Sequence, residues 1–428
     1  MRVEYLDAGE SLSAEALSGR VSVDESAAAS AASIIAAVRQ DGDAAVAEYT
    51  KQFDKAERRS FAVSSQELEL AWRQTPNGLK GALGDAAESI RGFHQKQLGQ
   101  SWFETRVDGA LVGSMVRPLG SVGIYVPGGR AAYPSTVLMN AIPAVVAGVG
   151  RIVIATPPQA DGSVNAAILA AARIAGVSEI YAVGGAQAIA ALAYGTDSIP
   201  SVDKIVGPGN AYVAAAKRLV SGDVGIDMIA GPSEVAILAD ESADATFLAI
   251  DLMAQAEHDP DAQTFLITTD ETLVDAVIET IERLLPHSPR LDITKASIDN
   301  NCLVLVAEDL PTAIAAVNDI APEHLEVQME QPLELLGLIE NAGAIFLGPW
   351  TPQSVGDYIA GPNHTLPTGG TARWASPLSV EDFIKRSSII SYSYAALSND
   401  APSIRELAEA EGLWAHGRAV ELRFEDLG

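Results

Sequence analysis

SVGIYVPGGRAAYPSTVLMNAIPAVVAGVGRIVIAT, residues 121–156, opens and closes on short runs of β-branched and apolar side chains. SVGIYV and RIVIAT are too uniformly apolar for half-exposed strands and read as strands covered on both faces. Between them, PSTVLMNAIPAVVAG begins on a proline suited to a helix start and ends on a glycine suited to a helix stop. Strand, helix, strand in that order requires a parallel pair with a crossover helix. The pattern continues through EIYAVGG and KIVGPG as strands, with VNAAILAAARIAG, AQAIAALAYG and NAYVAAAKRLV as helices. A parallel sheet with helices on both sides follows.

The same rhythm returns after residue 234, where EVAILAD, QTFLITT, CLVLVA, HLEVQ and AIFLG are strand candidates separated by helices such as ATFLAIDLMAQAEH and TLVDAVIETIERLL. Upstream, Ser22-Val-Asp-Glu25 has capping-box spacing and starts a helix that runs to Gly42, and a second such box stands at Ser64 and Glu67. The expected fold class is therefore α/β. It has two Rossmann-like parallel-sheet units, a helical lead-in, and small N- and C-terminal extensions. The expected division is an arm over 1–23, a discontinuous first domain over 24–125 and 234–377, a second domain over 126–233, and a tail over 378–428. The tail ends in SIRELAEAEGLWAHGRAVELR, read as one helix.

Composition narrows the function. The 28 basic residues against 56 acidic ones leave a net charge of −28, which argues against a nucleic-acid partner; such a field would attract a cationic small molecule, and it also fits solubility or an adaptation to salt. Cys302 is the single cysteine, so an internal disulfide and a cysteine-rich zinc site are both excluded. No apolar run is long enough for a membrane span and the N-terminus lacks a signal-peptide core, so the expectation is a cytoplasmic protein without a membrane partner. A strict G-x-G-x-x-G does not follow any of these strands. Its nearest substitutes are Gly184-Gly185-Ala-Gln187 and Gly207-Pro-Gly209-Asn210, which serve equally as tight turns or as places where a ligand meets backbone N–H groups.

The chain has six histidines, few enough to weigh singly. Gln255 and His258, three apart at the end of a helix that Pro260 stops, suit two donors on one metal. Asp357 and His364 lie in SVGDYIAGPNHTLPTGG, a Gly/Pro-rich loop whose packing gives no reason for such groups. Glu323 and His324, adjacent before a strand, bring together two groups that move protons near neutral pH. Each pair alone also fits an ordinary solvated turn. His416 lies on a helix of the tail, His94 is ambiguous, and His287 reads as a surface residue.

Taken together, IYVPGG, VGGAQAIAAL, GPGNAYVAAAK, IDMIAGPSE, QAEHDPDAQ, APEHLEV, GDYIAGPNHTLPTGGTARW and EGLWAHGRAV resemble histidinol dehydrogenases, in the family's order, over residues 25–420. The resemblance implies a NAD-dependent, four-electron oxidation of L-histidinol through a bound aldehyde to L-histidine, the last step of histidine biosynthesis. It implies one zinc ion per subunit, held by Gln255, His258, Asp357 and His416. In the family that last ligand comes from the partner subunit, so an intertwined homodimer is implied. His324 is then the base for the alcohol step, and Glu323 activates water for the aldehyde step. Ser233, Tyr358, His364 and Glu411 match positions that contact substrate, as do the zinc ligands and the Glu-His pair. Tyr125, Gln187 and Asn210 match positions that contact NAD. Read without the family, Glu323 beside zinc ligands would also fit a zinc hydrolase, and two α/β units would also fit a two-lobed binding protein.

Overall fold

The computed structural model describes residues 1–13, 25–128 and 132–425. The capping box expected at Ser22 falls outside them.

Strand β1 (Arg2–Leu6) is followed by helices α1 (Glu25–Asp41), α2 (Asp43–Asp54), α3 (Ser65–Gln74) and α4 (Asn77–Gln95). The capping box at Ser64 and Glu67 is formed in full at the start of α3. Next come β2 (Trp102–Thr105) and β3 (Leu111–Pro118), then the alternating series β4 (Ser121–Tyr125), α5 (Pro134–Ala147), β5 (Arg151–Thr156) and α6 (Ala166–Ala175). It continues through β6 (Glu179–Ala182), α7 (Gly185–Tyr194), β7 (Lys204–Val206), α8 (Ala211–Val220) and β8 (Gly225–Ile226). A second alternation runs β9 (Glu234–Ala239), α9 (Ala245–Ala256), β10 (Gln263–Thr268), α10 (Glu271–Leu284), α11 (Leu291–Asn301), β11 (Cys302–Ala307) and α12 (Leu310–Ile320). The remainder is β12 (His324–Gln328), β13 (Ala344–Leu347), α13 (Gln353–Tyr358), β14 (Ile384–Ser391), α14 (Tyr394–Ala410) and α15 (Trp414–Glu421).

Two parallel sheets result, in the orders β6-β5-β4-β7-β8 and β1-β11-β10-β9-β12-β13. Both step outward in one direction, return to the middle, and step out in the other, the doubly wound order expected of Rossmann-like units. In the second sheet the two faces are sharply sorted. Ala236, Leu238, Phe265, Ile267, Leu303 and Leu305 pack toward α12, while Val235, Ile237, Leu266, Val304 and the buried Cys302 pack toward α9, α10 and α11. Alternation along each strand sends successive side chains to opposite faces. Among the described residues no helix is long and apolar enough to cross a membrane.

The expected domain division needs three corrections. The arm is an edge strand, since β1 pairs in parallel with β11 from Arg2–Leu303 to Leu6–Ala307. The early helices join the first sheet, not the one after residue 234. Helix α7 is buried nearly all round and needs cover on its outer side, and Ala31, Ile34, Ile35 and Val38 of α1 supply it together with Ala45 and Val46 of α2. Finally, β2 and β3 leave the first domain for the tail. Leu98–Pro118 and Ile384–Gly428 form a separate compact unit, in which β14 pairs antiparallel with β3 from Ile384–Pro118 to Ser391–Leu111. Within that unit the single helix expected at the C-terminus is two, α14 and α15, separated where Gly412 takes a positive φ of 70°.

Candidate active site

Glu323 and His324 stand at the N-terminal end of β12, beside the start of β9. Ala321 ends α12 in a left-handed conformation, φ 48°, and Pro322 then leads straight into the strand. The adjacent crossover fits because Gly343 lacks a side chain, as a Cβ there would lie 2.5 Å from the Glu323 carbonyl oxygen. Both catalytic candidates are buried, at 6% and 4% exposure, so their charges are controlled by protein and not by water. One residue anchors the two. The Glu234 backbone N–H donates to Glu323 Oε2 at 2.8 Å, and His324 Nδ1 donates to the Glu234 carbonyl at 3.0 Å. Gly369 N–H in turn donates to Glu234 Oε1 at 3.0 Å.

That arrangement assigns the tautomer of neutral His324. Its Nδ1 carries the hydrogen and its Nε2 is left with the lone pair, 3.6 Å from Asp357 Oδ1. Glu323 Oε2 lies 3.6 Å from Nδ1 of the same ring. Burial works against a charged imidazole, but Glu323 and Asp357 outweigh it and raise His324 to about 9. Burial raises the Glu323 carboxyl to about 7, with His324 pulling the other way. Burial thus brings the Glu323 carboxyl toward neutral pH, while the facing carboxylates leave His324 above it.

Asp357, on α13, is the hub of the cluster. Its burial favours the neutral form, yet His324, His364 and His258 together hold its pKa below the usual carboxylate value. His364 donates from Nδ1 to the Asp357 backbone carbonyl at 3.1 Å and has its Nε2 3.5 Å from Thr136 Oγ1. Tyr358 follows Asp357 and is 60% exposed, with its phenol raised by partial burial and by Asp357. Gln255, fully buried on the last turn of α9, approaches the same hub, while His258 lies just past the end of that helix and is tied back to it by a bond from its N–H to the Gln255 carbonyl at 3.2 Å. The expected helix therefore stops before His258. Desolvation of the His258 ring lowers its pKa, which keeps a nitrogen lone pair available. Ser233, half-buried, immediately precedes Glu234.

Two residues with no signal of their own in the sequence belong to this site. Glu234 acts through its peptide unit, which composition cannot reveal. Gln353 is buried at the first position of α13 and donates from Nε2 to Gln255 Oε1 at 2.7 Å and to Asp357 Oδ2 at 3.4 Å. Glu411 and His416 belong to the second compact unit, at the end of α14 and on α15, and both are exposed there.

The other three expected residues follow the carboxyl ends of β4, β6 and β7; β4 and β7 flank the point where the strand order of the first sheet reverses, and ligands of such sheets bind there. Tyr125 ends β4, and its hydroxyl accepts from the Gly185 N–H at 3.1 Å. Burial pushes its phenol up to about 12. Gly207 has φ 108° and no room for a side chain, since a Cβ would lie 2.2 Å from the Tyr125 carbonyl oxygen. The turn is braced from below by the buried Lys217–Asp227 ion pair: Lys217 Nζ donates to the Gly207 carbonyl at 2.9 Å, and the Gly207 N–H donates to Asp227 Oδ2 at 2.8 Å. Asn210 caps α8. Gln187 is buried with neither amide atom hydrogen-bonded among the described residues, a polar group ready for a ligand.

The donor types around Asp357 are imidazole nitrogen, carboxylate oxygen and amide oxygen, a set suited to zinc. Among the described residues Gln255 Nε2 and His324 Nε2 are buried there without a hydrogen-bond partner. Among the described residues no group of three or more His, Cys, Asp or Glu side chains is arranged to hold a metal. His258 and Asp357 are the two residues of those types in the expected ligand set from this unit, and Gln255 adds an amide.

Residues 18–424 match the family model described as histidinol dehydrogenase. The chain is 54% identical over 394 residues to a histidinol dehydrogenase of Halalkalibacterium halodurans, covering 92% of this chain and 93% of that one. It is also 54% identical over 390 residues to the Bacillus licheniformis protein of that name, covering 91% and 92% respectively. The crystal structure of histidinol dehydrogenase from Elizabethkingia anophelis superposes with a TM-score of 0.93 at 37% identity, over 100% of this chain and 98% of that one.

Proposed function

The chain belongs to the histidinol dehydrogenase family, and on that premise we propose that it oxidises L-histidinol, through a bound aldehyde, to L-histidine with two NAD and one zinc ion per subunit. The observation that carries the reading is the shared anchoring of Glu323 and His324 on Glu234, which sets two proton-transfer groups of different chemistry side by side.

Zinc would be held by Gln255, His258 and Asp357 with His416 of the partner subunit, and would supply a Lewis acid that fixes the substrate's imidazole and amino nitrogens. NAD would lie against Tyr125, Gln187 and Asn210 and supply the hydride acceptor. With Asp357 committed to a cation, one of the two carboxylates that raise His324 is neutralised, and the ring moves toward neutrality. His324 Nε2 then takes the proton of the alcohol oxygen while the hydride leaves the carbon that bears it. Glu323 removes a proton from the water that adds to the aldehyde, protonated His324 returns its proton to the carbonyl oxygen, and the neutral ring then takes a hydroxyl proton of the resulting hydrate as the second hydride leaves for NAD. Ser233, Tyr358, His364 and Glu411 complete the substrate contacts, and His364 stays oriented by its bond to the Asp357 carbonyl. The net negative charge favours a cationic amino alcohol. A homodimer in the cytoplasm, without membrane or nucleic-acid partners, completes the reading.

The test is the number of NADH formed per molecule of limiting L-histidinol in the presence of zinc. Two supports the reaction, one means that the aldehyde escapes and that Glu323 lacks the role given to it, and none overturns the assignment of substrate. The zinc-hydrolase alternative gains no support from the family match, and it would give no NAD-dependent turnover.

A further inference from the structure

We infer that Gln353 is a positioning residue of the metal centre, whose side-chain amide fixes which atoms of Gln255 and Asp357 face the ion. The inference rests on the zinc reading given above and goes beyond the ligands themselves.

The geometry is specific. The Gln353 NH2 group carries two hydrogens, and two oxygens on two different helices receive them: Gln255 Oε1 from α9 at 2.7 Å and Asp357 Oδ2 from α13 at 3.4 Å. An amide ligates a metal through its oxygen, whereas its NH2 end repels a cation. A donor placed on Oε1 therefore decides which end of Gln255 turns toward Asp357. The same donor distinguishes the two carboxylate oxygens of Asp357, leaving Oδ1 to face His324 Nε2 at 3.6 Å. Ligand-orienting bonds of this kind are a general requirement of metal sites.

Gln353 is itself held firmly. It is buried, and as the first residue of α13 it has a backbone N–H with no partner inside the helix. Glu326 Oε1, on the buried strand β12, accepts that N–H at 2.8 Å, and Gln328 Nε2 donates to the other Glu326 oxygen at 3.2 Å. The amide is thus braced from the sheet that also carries His324. Packing alone does not account for the arrangement, because Gln353 Oε1 and Gln255 Nε2 are both buried without a hydrogen-bond partner among the described residues. Two apolar side chains would fill the space without leaving such atoms. An orienting role explains why amides are used.

The experiment measures zinc affinity of the full-length protein by competition with a chelator of known strength, alongside the melting temperature of the metal-free protein. Gln353→Met keeps the length of the side chain and the backbone bond to Glu326 but removes the amide. Zinc affinity should fall by about 10- to 100-fold while the metal-free melting temperature stays near that of wild type. Gln353→Asn retains the amide but shortens its reach, so it should weaken zinc in the same direction and serves if the methionine variant folds poorly. Cobalt(II) in place of zinc adds a spectroscopic readout, as its visible bands should change in both variants. A folded variant with wild-type zinc affinity and an unchanged cobalt spectrum overturns the inference alone. Wild-type protein that fails to bind zinc overturns the zinc reading, and this inference falls with it.

Discussion

His324 donates its Nδ1 hydrogen to the backbone carbonyl of Glu234 at 3.0 Å, and that bond fixes the ring by an atom no substitution at position 234 can delete. The neutral ring is thereby held as the tautomer with its lone pair on Nε2. His324→Gln, which retains a polar side chain but no basic nitrogen, should lower the rate of alcohol oxidation by about 10²- to 10⁴-fold, the usual contribution of a positioned base. Stopped-flow measurement of the first hydride transfer checks this, and a loss confined to KM would contradict the role.

Glu323 is bound differently, through Oε2 to the Glu234 N–H at 2.8 Å. Glu323→Gln still fills the space but cannot take a proton from water. Oxidation of added L-histidinaldehyde should therefore suffer far more than oxidation of the alcohol. Equal losses in the two half-reactions would remove the division of labour between the neighbours.

Complementation tests the ligand drawn from the second compact unit. His258→Ala and His416→Ala chains, each inactive alone, should regain part of the activity when subunits are exchanged, because some mixed dimers then carry one intact site. Absence of recovery despite demonstrated exchange would place His416 in the site of its own chain.

The pH dependence of stability has a separate source in Asp251, on α9. Burial, with Glu326 facing it, raises this carboxyl from 3.8 to about 8. In that window the native chain keeps a proton that the unfolded chain has lost, so stability falls as pH rises, by at most about 1.4 kcal/mol per pH unit from this group. Above pH 8 its contribution levels off. Asp251→Asn cannot ionise and still offers Glu326 a donor. Urea unfolding should show the variant more stable than wild type at pH 8 and close to it near pH 4. A larger gap at the acidic end would refute the assignment.

Much of this was legible in residue order. The strands are short, apolar and bounded by glycine turns, and both doubly wound sheets follow from them. The Glu-His adjacency and the Gln255–His258 spacing stood out because such groups are rare in a chain with six histidines. What the sequence hid depends on non-local packing. Nothing in AAASAASIIAAVRQ says which sheet will receive its apolar stripe, and β3 gives no sign that its partner is β14, more than 260 residues away. Gln353 and the Glu234 peptide were invisible for a related reason. Their roles come from what they face, and neither residue type signals chemistry by itself.

Gly343 offers a way to disturb the catalytic pair without touching it. The residue packs where the entry to β13 crosses the start of β12, and its N–H donates to the Pro322 carbonyl at 2.9 Å. Gly343→Ala would bring a methyl group to 2.5 Å from the Glu323 carbonyl oxygen and 3.2 Å from Pro367. Backbone cannot rotate away as a side chain does, so β12 must shift at its first residues. Overpacking of this kind costs about 1–3 kcal/mol, which urea unfolding would register. Because the displaced segment carries Glu323 and His324, kcat should fall in both half-reactions together, in contrast to Glu323→Gln. The first sheet is untouched, so the affinity for NAD, measured by fluorescence titration, should stay near the wild-type value. A variant that loses NAD binding along with kcat would show that the two sheets are coupled through this crossing, and that the site does not divide as the strand order suggests.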